Sequence, residues 1–278
     1  MLDDLRIAFI GGGNMARSLV GGLVEKGCQP GRIAVSEPNP EQRALIAKRA
    51  PVRMSPDGAA AAQDADLLVF AVKPQVMQDA AKAVAAAVQA RRPLVISVAA
   101  GITTGDLDRW LGGGQAIVRV MPNTPALLGA GAAGLYATPK VSGAQRELAR
   151  ALMEAVGQAH WIEDESLMDA VTAVSGSGPA YFFLLMESME TAALELGLPA
   201  GTARALVLQT AFGAARMAQE SGEAPAVLRK QVTSPNGTTA AALSAFEGGG
   251  FEALVKKALT AARDRGRQLA REAGEDRA

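Results

Sequence analysis

The sequence is poor in the side chains on which many active sites depend. Its 278 residues include one cysteine, Cys28, and one histidine, His160. A single cysteine excludes a disulfide framework within the chain and is typical of a reducing compartment, which predicts a cytoplasmic protein. Clusters of metal ligands are missing, and His160 has no Asp or Ser at a spacing that suggests a catalytic triad. We therefore expect no metal site, and we interpret Cys28 as an idle thiol.

Net charge and long apolar segments are also missing. Lys plus Arg and Asp plus Glu number 28 each, so no overall field favours nucleic acid or an anionic membrane. No basic region followed by an apolar signal core stands at the N-terminus, and no apolar run is long enough to cross a bilayer. Hydrophobic residues still make up 49% of the chain, enough for a sizeable core in one large domain or two ordinary ones. We expect neither nucleic acid nor a membrane as a partner.

The N-terminal stretch has the pattern of a dinucleotide-binding loop. An apolar run over 5–10 leads into three glycines and a helix that begins near Met15. Gly11 can adopt backbone angles closed to other residues, Gly13 lets a diphosphate approach the main chain, and Ala16 packs the helix against the strand. The N–H groups at the helix start attract phosphates, although such a loop could also merely turn the chain. The predicted cofactor contacts here are Ile10, Gly11, Gly12, Gly13, Asn14 and Met15.

A second strand over 32–36 ends at Glu37, where dinucleotide-binding folds place the residue that recognises the adenosine ribose. Its carboxylate would accept hydrogen bonds from the 2′-hydroxyl and repel a 2′-phosphate, which favours NAD(H). Ser36, Asn39 and Arg43 could instead hold a phosphate together, so NADP(H) stays open. We predict Ser36 and Glu37 as cofactor contacts, while a solvated turn residue is the simpler explanation of Glu37.

Continuous apolar runs over 66–72, 93–98 and 116–121 predict buried parallel strands. The first run leads into Lys73-Pro74, where Pro74 can open the next helix. The second ends in Ala99-Ala100-Gly101, small residues that leave room for a flat ring. Ligands of open α/β sheets bind beyond the carboxyl ends of the strands, although Lys73 could equally be a solvated loop residue. The predicted cofactor contacts in these loops are Ala71, Val72, Lys73, Pro74 and Ala99.

The alternation of strands and helices predicts an α/β fold with a doubly wound, Rossmann-type sheet over residues 1–162. Short strands near 134–137 and 159–162 are expected to extend its edge, and Ser55 is expected to cap a helix. From Glu163 onward strand signals vanish, which predicts an all-helical domain over 163–278. There, Ser177 is expected to cap a restarted helix. That helix is apolar on every side over 181–186, so we expect a second subunit to cover it.

The segment 233–243, TSPNGTTAAAL, is a loop of small hydrogen-bond donors that opens a helix. A helix start attracts anions through its unpaired N–H groups, as the glycine loop does. The segment contains no arginine or lysine, so a bound carboxylate would be held by N–H and hydroxyl groups. An elaborate helix cap is the plainer interpretation of the same residues.

Together these motifs resemble the pyrroline-5-carboxylate reductase family, which catalyses the last step of proline biosynthesis. The resemblance covers nearly the whole chain and is carried by residues 9–16, 71–74, 98–101, 121–125, 169–181 and 233–239. The last two segments are specific to the family, whereas the glycine loop is not. The resemblance implies a dinucleotide domain followed by an all-α substrate-binding and dimerisation domain. It also implies homodimers that often assemble further, commonly into decamers.

The same resemblance implies the residues that bind the substrate. The loop over 233–239 would hold the substrate carboxylate, with Thr239 close to the ring nitrogen as the catalytic residue. Family members usually have Gly-Gly where this chain has Asn236-Gly237. Asn best tolerates a left-handed backbone among non-glycine residues, so the loop shape is expected to survive. The substrate-binding residues implied are Ser234, Asn236, Gly237, Thr238 and Thr239.

We therefore predict an oxidoreductase that reduces (S)-1-pyrroline-5-carboxylate to L-proline, with hydride transfer from NAD(P)H to C5 of the C=N bond. An imine can arrive already protonated, so positioning can supply much of the catalysis. A β-hydroxyacid dehydrogenase is one alternative. It would need a base, and the lysine that such enzymes carry after the domain boundary is missing from 181–190. A non-catalytic dinucleotide sensor, which binds the cofactor without turnover, is the other.

Overall fold

The computed structural model describes residues 2–274. The strands are β1 Ile7–Ile10, β2 Ile33–Ser36, β3 Arg53–Ser55, β4 Leu67–Phe70, β5 Leu94–Ser97, β6 Ile117–Met121, β7 Gly131–Ala137 and β8 Gly157–Trp161. The α-helices are α1 Asn14–Glu25, α2 Pro40–Arg49, α3 Gly58–Ala62, α4 Pro74–Arg91, α5 Thr104–Trp110, α6 Gly143–Glu154, α7 Met168–Val171, α8 Gly178–Glu195, α9 Ala200–Glu220, α10 Pro225–Gln231, α11 Thr238–Gly248 and α12 Phe251–Gly274.

The strands form one sheet in the order β3-β2-β1-β4-β5-β6-β7-β8. The first six are parallel, and their order is that of the doubly wound dinucleotide-binding fold. β7 runs antiparallel to β6, and β8 runs parallel to β7. The predicted Rossmann-type sheet is confirmed, and the two short strands extend its edge as expected.

The sheet is buried on both faces because its strand residues alternate between two apolar clusters. Ile7 and Phe9 pack with α1, α2 and α6, whereas Ala8 and Ile10 pack with α3, α4 and α5. All four residues of β1 are buried. A strand covered on both sides reads as a continuous apolar run, which is why the sequence identified these strands.

Near β3, one strand was missed and one expectation was wrong. The short edge strand β3, which pairs with β2 through Met54 opposite Val35, was not predicted. Ser55, expected as a helix cap, is the last residue of this strand. The cap of α3 is Asp57, whose carboxylate accepts the N–H of Ala59 at 2.9 Å.

The segment after β8 differs from the single interrupted helix expected there. A 3-10 turn over Glu165–Leu167 leads into α7, and a π-helical turn follows over Thr172–Gly176. Ser177 is not an N-cap, because its backbone is helical, with φ −85° and ψ −20°, and a cap residue needs an extended one. Pro179 lies in the first turn of α8, as predicted.

Packing divides the chain into two compact units, residues 1–177 with 261–278, and residues 178–260; residues 1 and 275–278 lie outside the described part. Packing thus divides the chain after Ser177, whereas the sequence analysis placed a domain boundary after Ile162. Two contacts account for the difference. Met168 is fully buried. Val171 packs closely on Gly134 of β7, because a Cβ added to Gly134 would lie 2.6 Å from a methyl group of Val171.

The unit of residues 178–260 consists of α8–α11 and the first turns of α12. In the single chain, α8 exposes Phe182, Phe183 and Leu184 by more than half, although an apolar side chain gains from burial. Within residues 2–274, none of the helices has the length and apolar character needed to cross a bilayer.

Candidate active site

The glycine loop lies at the carboxyl end of β1 in a conformation that requires glycine. Gly11 has φ 98°, and a Cβ at this position would lie 2.7 Å from the carbonyl oxygen of Ala71. The Gly11 N–H donates to the carbonyl of Ser36 at 2.8 Å, which ties the loop to the end of β2. At the end of β4, the Ala71 N–H donates to the carbonyl of Ile10 at 2.8 Å. Three neighbouring strand ends therefore meet at this loop.

The start of α1 is open to an anion. Gly13 is its N-cap, and no side chain in the described part of the protein caps this helix. Chain neighbours apart, a Cβ at Gly13 would meet no atom of residues 2–274 within 4 Å. Ala16 is fully buried against the sheet, as a close helix-to-strand approach requires. The first N–H groups of α1, including those of Asn14 and Met15, are thus available to a diphosphate.

Glu37, the predicted ribose contact, accepts two hydrogen bonds from the main chain. Its carboxylate accepts the N–H of Gly12 at 2.8 Å and the N–H of Asn39 at 2.9 Å. A Cβ on Gly12 would lie 2.9 Å from the Cβ of Glu37, so the two residues are in close contact. This carboxylate therefore joins the glycine loop to the turn after β2.

The residues that could hold a 2′-phosphate are also engaged with the main chain. Asn39 caps α2, because its Oδ1 accepts the N–H of Glu41 at 2.8 Å. Arg43 donates from one guanidinium nitrogen to the carbonyls of Glu37 and Pro38. Ser36 is buried at the end of β2. The guanidinium of Arg43 has further N–H groups, so it keeps the capacity to bind an anion beside this turn.

We predict that Glu37→Ala weakens the binding of NADH and NADPH by similar factors, about tenfold each, because two loop N–H groups lose their acceptor. Fluorescence titration with each nucleotide measures this. Glu41→Ala is the matched control, since Glu41 is an exposed acid in the first turn of α2. A loss confined to NADH would instead make Glu37 a ribose contact.

The remaining predicted cofactor residues follow β4 and β5. Lys73 is the N-cap of α4 and is exposed, and Pro74 is the first residue of that helix, as predicted. Ala99 is buried, and the Val98 N–H donates to the carbonyl of Phe70 at 3.0 Å, which places the two loops side by side. Ala71 and Val72, which precede Lys73, are half-buried.

A cleft of about 330 Å³ borders these loops between the beginning of α4 and residues 266–273 of α12. Gln75, Gly101, Trp110 and Leu269 are among its lining residues. Pro74 is the only predicted cofactor contact in its lining, so this cleft adjoins the cofactor loops and does not contain the glycine loop.

The predicted substrate loop belongs to the unit of residues 178–260. Asn236 has φ 59°, a left-handed conformation that asparagine tolerates better than most non-glycine residues. The Gly237 N–H donates to the carbonyl of Ser234 at 3.1 Å and closes the loop. Gly237 is the N-cap of α11, and no side chain of the described residues caps this helix either. The elaborate helix cap that the sequence also allowed therefore has no side-chain hydrogen bond to the start of α11 among the described residues.

The uncapped start of α11 presents the N–H groups of Thr238 and Thr239, the first two residues of the helix. Thr239 is half-buried and Thr238 is exposed. A carboxylate bound here would be held by main-chain N–H groups and the positive end of the helix dipole, without a cationic side chain.

Cys28 and His160 belong to neither the cofactor loops nor the segment 233–239. Cys28 is buried beyond the C-terminal end of α1, and its Sγ donates to the Asp3 carboxylate at 3.6 Å. Burial, together with the hydrogen bond and charge of Asp3, raises the pKa of the Cys28 thiol, which disfavours the reactive thiolate. His160 is exposed on β8.

The sequence analysis assigned no role to two polar residues of β6 and the loop after it. Arg119 of β6 is buried and forms a 3.1 Å ion pair with Glu165, which also accepts the N–H of Thr104 at the start of α5. Asn123 follows β6 and bonds to the carbonyl of Ser175 in the π-helical turn. Asn123 and Ser175 lie in segments that carried the family resemblance, but their pairing over 52 positions has no local signal.

Comparison with known proteins covers both units. A family model described as pyrroline-5-carboxylate reductase dimerisation matches residues 165–269, and one described as NADP oxidoreductase, coenzyme F420-dependent, matches residues 6–101. The pyrroline-5-carboxylate reductase of Pseudomonas aeruginosa is 53% identical over 270 residues, which is 97% of this chain and 98% of that protein.

Solved structures resemble this chain over nearly its whole length. A pyrroline-5-carboxylate reductase from Coxiella burnetii superposes with a TM-score of 0.92 at 43% identity, covering 95% of this chain and 98% of that one. The Plasmodium falciparum enzyme, solved with NADP bound, has a TM-score of 0.84 at 28% identity, covering 96% and 99%. This chain therefore belongs to the pyrroline-5-carboxylate reductase family.

Proposed function

We propose that the protein reduces (S)-1-pyrroline-5-carboxylate to L-proline with NAD(P)H, the final step of proline biosynthesis. The observation that carries this proposal is the uncapped start of α11 behind the left-handed Asn236, in a chain of this family. A substrate with one carboxylate and one imine needs an anion site for the carboxylate and a flat nicotinamide ring against the imine. It needs no strong base, and the loops described above offer none.

The loops at the sheet edge fit a dinucleotide. Gly11 permits the tight turn, the open space at Gly13 admits a diphosphate, and the uncapped α1 offers N–H groups to it. Val72, Lys73, Pro74 and Ala99 would line the path toward the nicotinamide. When bound, NAD(P)H supplies the hydride that adds to C5 of the C=N bond.

The chain's own residues position the substrate. The N–H groups of Thr238 and Thr239 would hold the carboxylate, and Ser234, Asn236 and Gly237 shape the loop around it. The Thr239 hydroxyl would orient the ring nitrogen or relay its proton, without acting as a strong acid. An iminium carbon is already electrophilic, so orientation supplies much of the rate enhancement.

The deciding assay follows the oxidation of NADH and NADPH, each separately, with pyrroline-5-carboxylate added. We expect oxidation that depends on the imine and yields proline. Cofactor binding without turnover would support the non-catalytic sensor. Oxidation of a β-hydroxyacid with NAD(P)+ would support the dehydrogenase. The ratio of the two kcat/KM values settles the nucleotide preference, which the environment of Glu37 and Arg43 leaves open.

The substrate loop gives a test of its own. Asn236→Val is expected to raise the KM for pyrroline-5-carboxylate about tenfold or more, because a β-branched residue disfavours φ 59° by about 1–2 kcal/mol. Asn236→Gly is the control and should keep the wild-type KM, since glycine adopts this angle freely. Equal KM values in the two variants would show that the loop conformation does not govern binding.

We also propose that the exposed apolar residues of α8, together with Leu206 and Phe212 of α9, are covered by a second copy of the chain. Five such dimers would form a decamer. Sedimentation velocity across micromolar concentrations distinguishes monomer, dimer and decamer. The single cysteine Cys28 suits a reducing compartment, so we place the reaction in the cytoplasm.

A further inference from the structure

The π-helical turn over Thr172–Gly176 is the least regular part of the helical segment that follows β8. Its defining bond runs from the Ser177 N–H to the carbonyl of Thr172 at 2.8 Å, five residues apart. Such turns are rare inside helices and often occur at functional sites. A turn closed by a five-residue bond is wider than an α-helical turn and packs less well, so contacts from outside the helix are needed to stabilise it.

Asn123 provides such a contact from the carboxyl end of β6. Its Nδ2 donates to the carbonyl of Ser175 at 3.0 Å, and its Oδ1 accepts the N–H of Ala132 in β7 at 2.9 Å. A donor and an acceptor on opposite sides leave the carboxamide one orientation. The methyl group of Met121 adds a packing contact, because it fills the space that a Cβ on Gly176 would take.

The position of this contact connects it to the reaction. β5 and β6 are adjacent parallel strands, with Ser97 opposite Arg119, so their carboxyl ends lie at one edge of the sheet. Ala99 follows β5 and Asn123 follows β6 at that edge. Asn123 thus ties the π-helical turn to the strand end that neighbours the loop in which we expect the nicotinamide to lie.

We propose that Asn123 is a positioning residue for hydride transfer. Its carboxamide fixes the main chain from Ser175 to Ser177, and this fixed segment keeps the nicotinamide end of the site in one shape. The inference rests on the proposed function. Where catalysis depends on orientation, a small displacement of a site wall lowers the rate more than it lowers cofactor affinity.

The test is Asn123→Asp, a nearly isosteric change. The introduced carboxylate still accepts the Ala132 N–H but places an oxygen against the Ser175 carbonyl. At pH 8 we expect kcat to fall about 10- to 100-fold, with the dissociation constant for NADPH changed by less than about twofold. Protonation restores a donor, so the ratio of variant to wild-type kcat should rise as the pH falls toward 6. The charged groups on the neighbouring elements are Arg119, Glu165 and Asp169. The wild type carries the same three groups, so a recovery seen only in the ratio of variant to wild-type kcat belongs to the introduced carboxyl group.

Two further variants separate positioning from stability. Asn123→Ser is too short to reach Ser175 and should lose kcat without recovery at low pH. Ser142→Ala removes the capping box of α6 and should lower Tm by about 2–4 °C with an unchanged kcat. The proposal is overturned if Asn123→Asp has wild-type kcat at pH 8, or if its kcat loss shows no pH recovery and is matched by Ser142→Ala.

Amide hydrogen exchange gives a readout that does not need turnover. We expect the Ser177 amide to exchange faster in Asn123→Asp than in the wild type, with and without NADPH. Unchanged protection of this amide would overturn the proposal by itself. If the wild-type protein fails to reduce pyrroline-5-carboxylate, the proposed function fails, and the exchange result still decides whether Asn123 fixes the π-helical turn.

Discussion

Gly13→Ala is expected to weaken NAD(P)H binding about 100-fold, which corresponds to about 2.7 kcal/mol, while the protein itself stays folded. Outside its chain neighbours, a Cβ here would meet no described atom within 4 Å, and the backbone of Gly13 is extended, with φ −69°. The substitution therefore costs the free protein less than about 1 kcal/mol. The added methyl group would occupy the space through which the diphosphate reaches the first N–H groups of α1.

Two comparison variants make this prediction specific. Gly11→Ala forces a Cβ to within 2.7 Å of the Ala71 carbonyl at φ 98°, so it should lower the free energy of unfolding by about 1–3 kcal/mol as well as binding. Gly143→Ala, at an equally open position at the start of α6, should change neither. Fluorescence titration and thermal unfolding measure the two quantities. Wild-type affinity in Gly13→Ala would place the diphosphate elsewhere.

Thr239→Ala is expected to lower kcat for pyrroline-5-carboxylate about 10- to 100-fold and to leave the dissociation constant for NAD(P)H unchanged. The main-chain N–H of Thr239 stays in place at the start of α11, so carboxylate binding should weaken much less than the rate. The substitution removes the hydroxyl that would face the ring nitrogen, together with the γ-methyl group. Steady-state kinetics with saturating cofactor, together with cofactor titration, separates the two effects.

Thr239→Ser keeps the hydroxyl and should retain kcat within about fivefold of the wild type. Ser244→Ala removes an exposed hydroxyl from the same helix and serves as the control for a general effect on α11. If Thr239→Ala keeps the wild-type kcat, Thr239 has no part in the chemical step. The anion site at the helix start would be unaffected by that result.

The elements that the sequence predicted well are those with a strong local cause. The strands β1 and β4 are continuous apolar runs, and β5 and β6 are interrupted only by Ser97 and Arg119, because both faces of the sheet are buried here. Pro74 begins α4, since a proline at the first helical position sacrifices no hydrogen bond. The edge strand β3 was missed, because three partly exposed residues carry no comparable apolar pattern.

The candidate site likewise contains some features with a local cause in the sequence and some without one. The positive φ of Gly11 and the left-handed Asn236 follow from the residue types and their places in recognised loops. The environment of Glu37 does not follow from them, because it depends on an N–H of Gly12, 25 positions away. The location of Glu37 after β2 predicts a ribose contact, and this stays a prediction; its bonds to Gly12 and Asn39 are what the tertiary structure adds.

The sequence by itself determined the parallel sheet, the glycine turn, the helical second half and the family, because each depends on local conformational preference, apolar periodicity or a specific motif. Only the tertiary structure decided the packing boundary at Ser177, the π-helical turn and its carboxamide contact from Asn123. Those features arise from hydrogen bonds and packing between residues far apart in the chain. No local pattern records such pairings, since either partner alone is compatible with many environments.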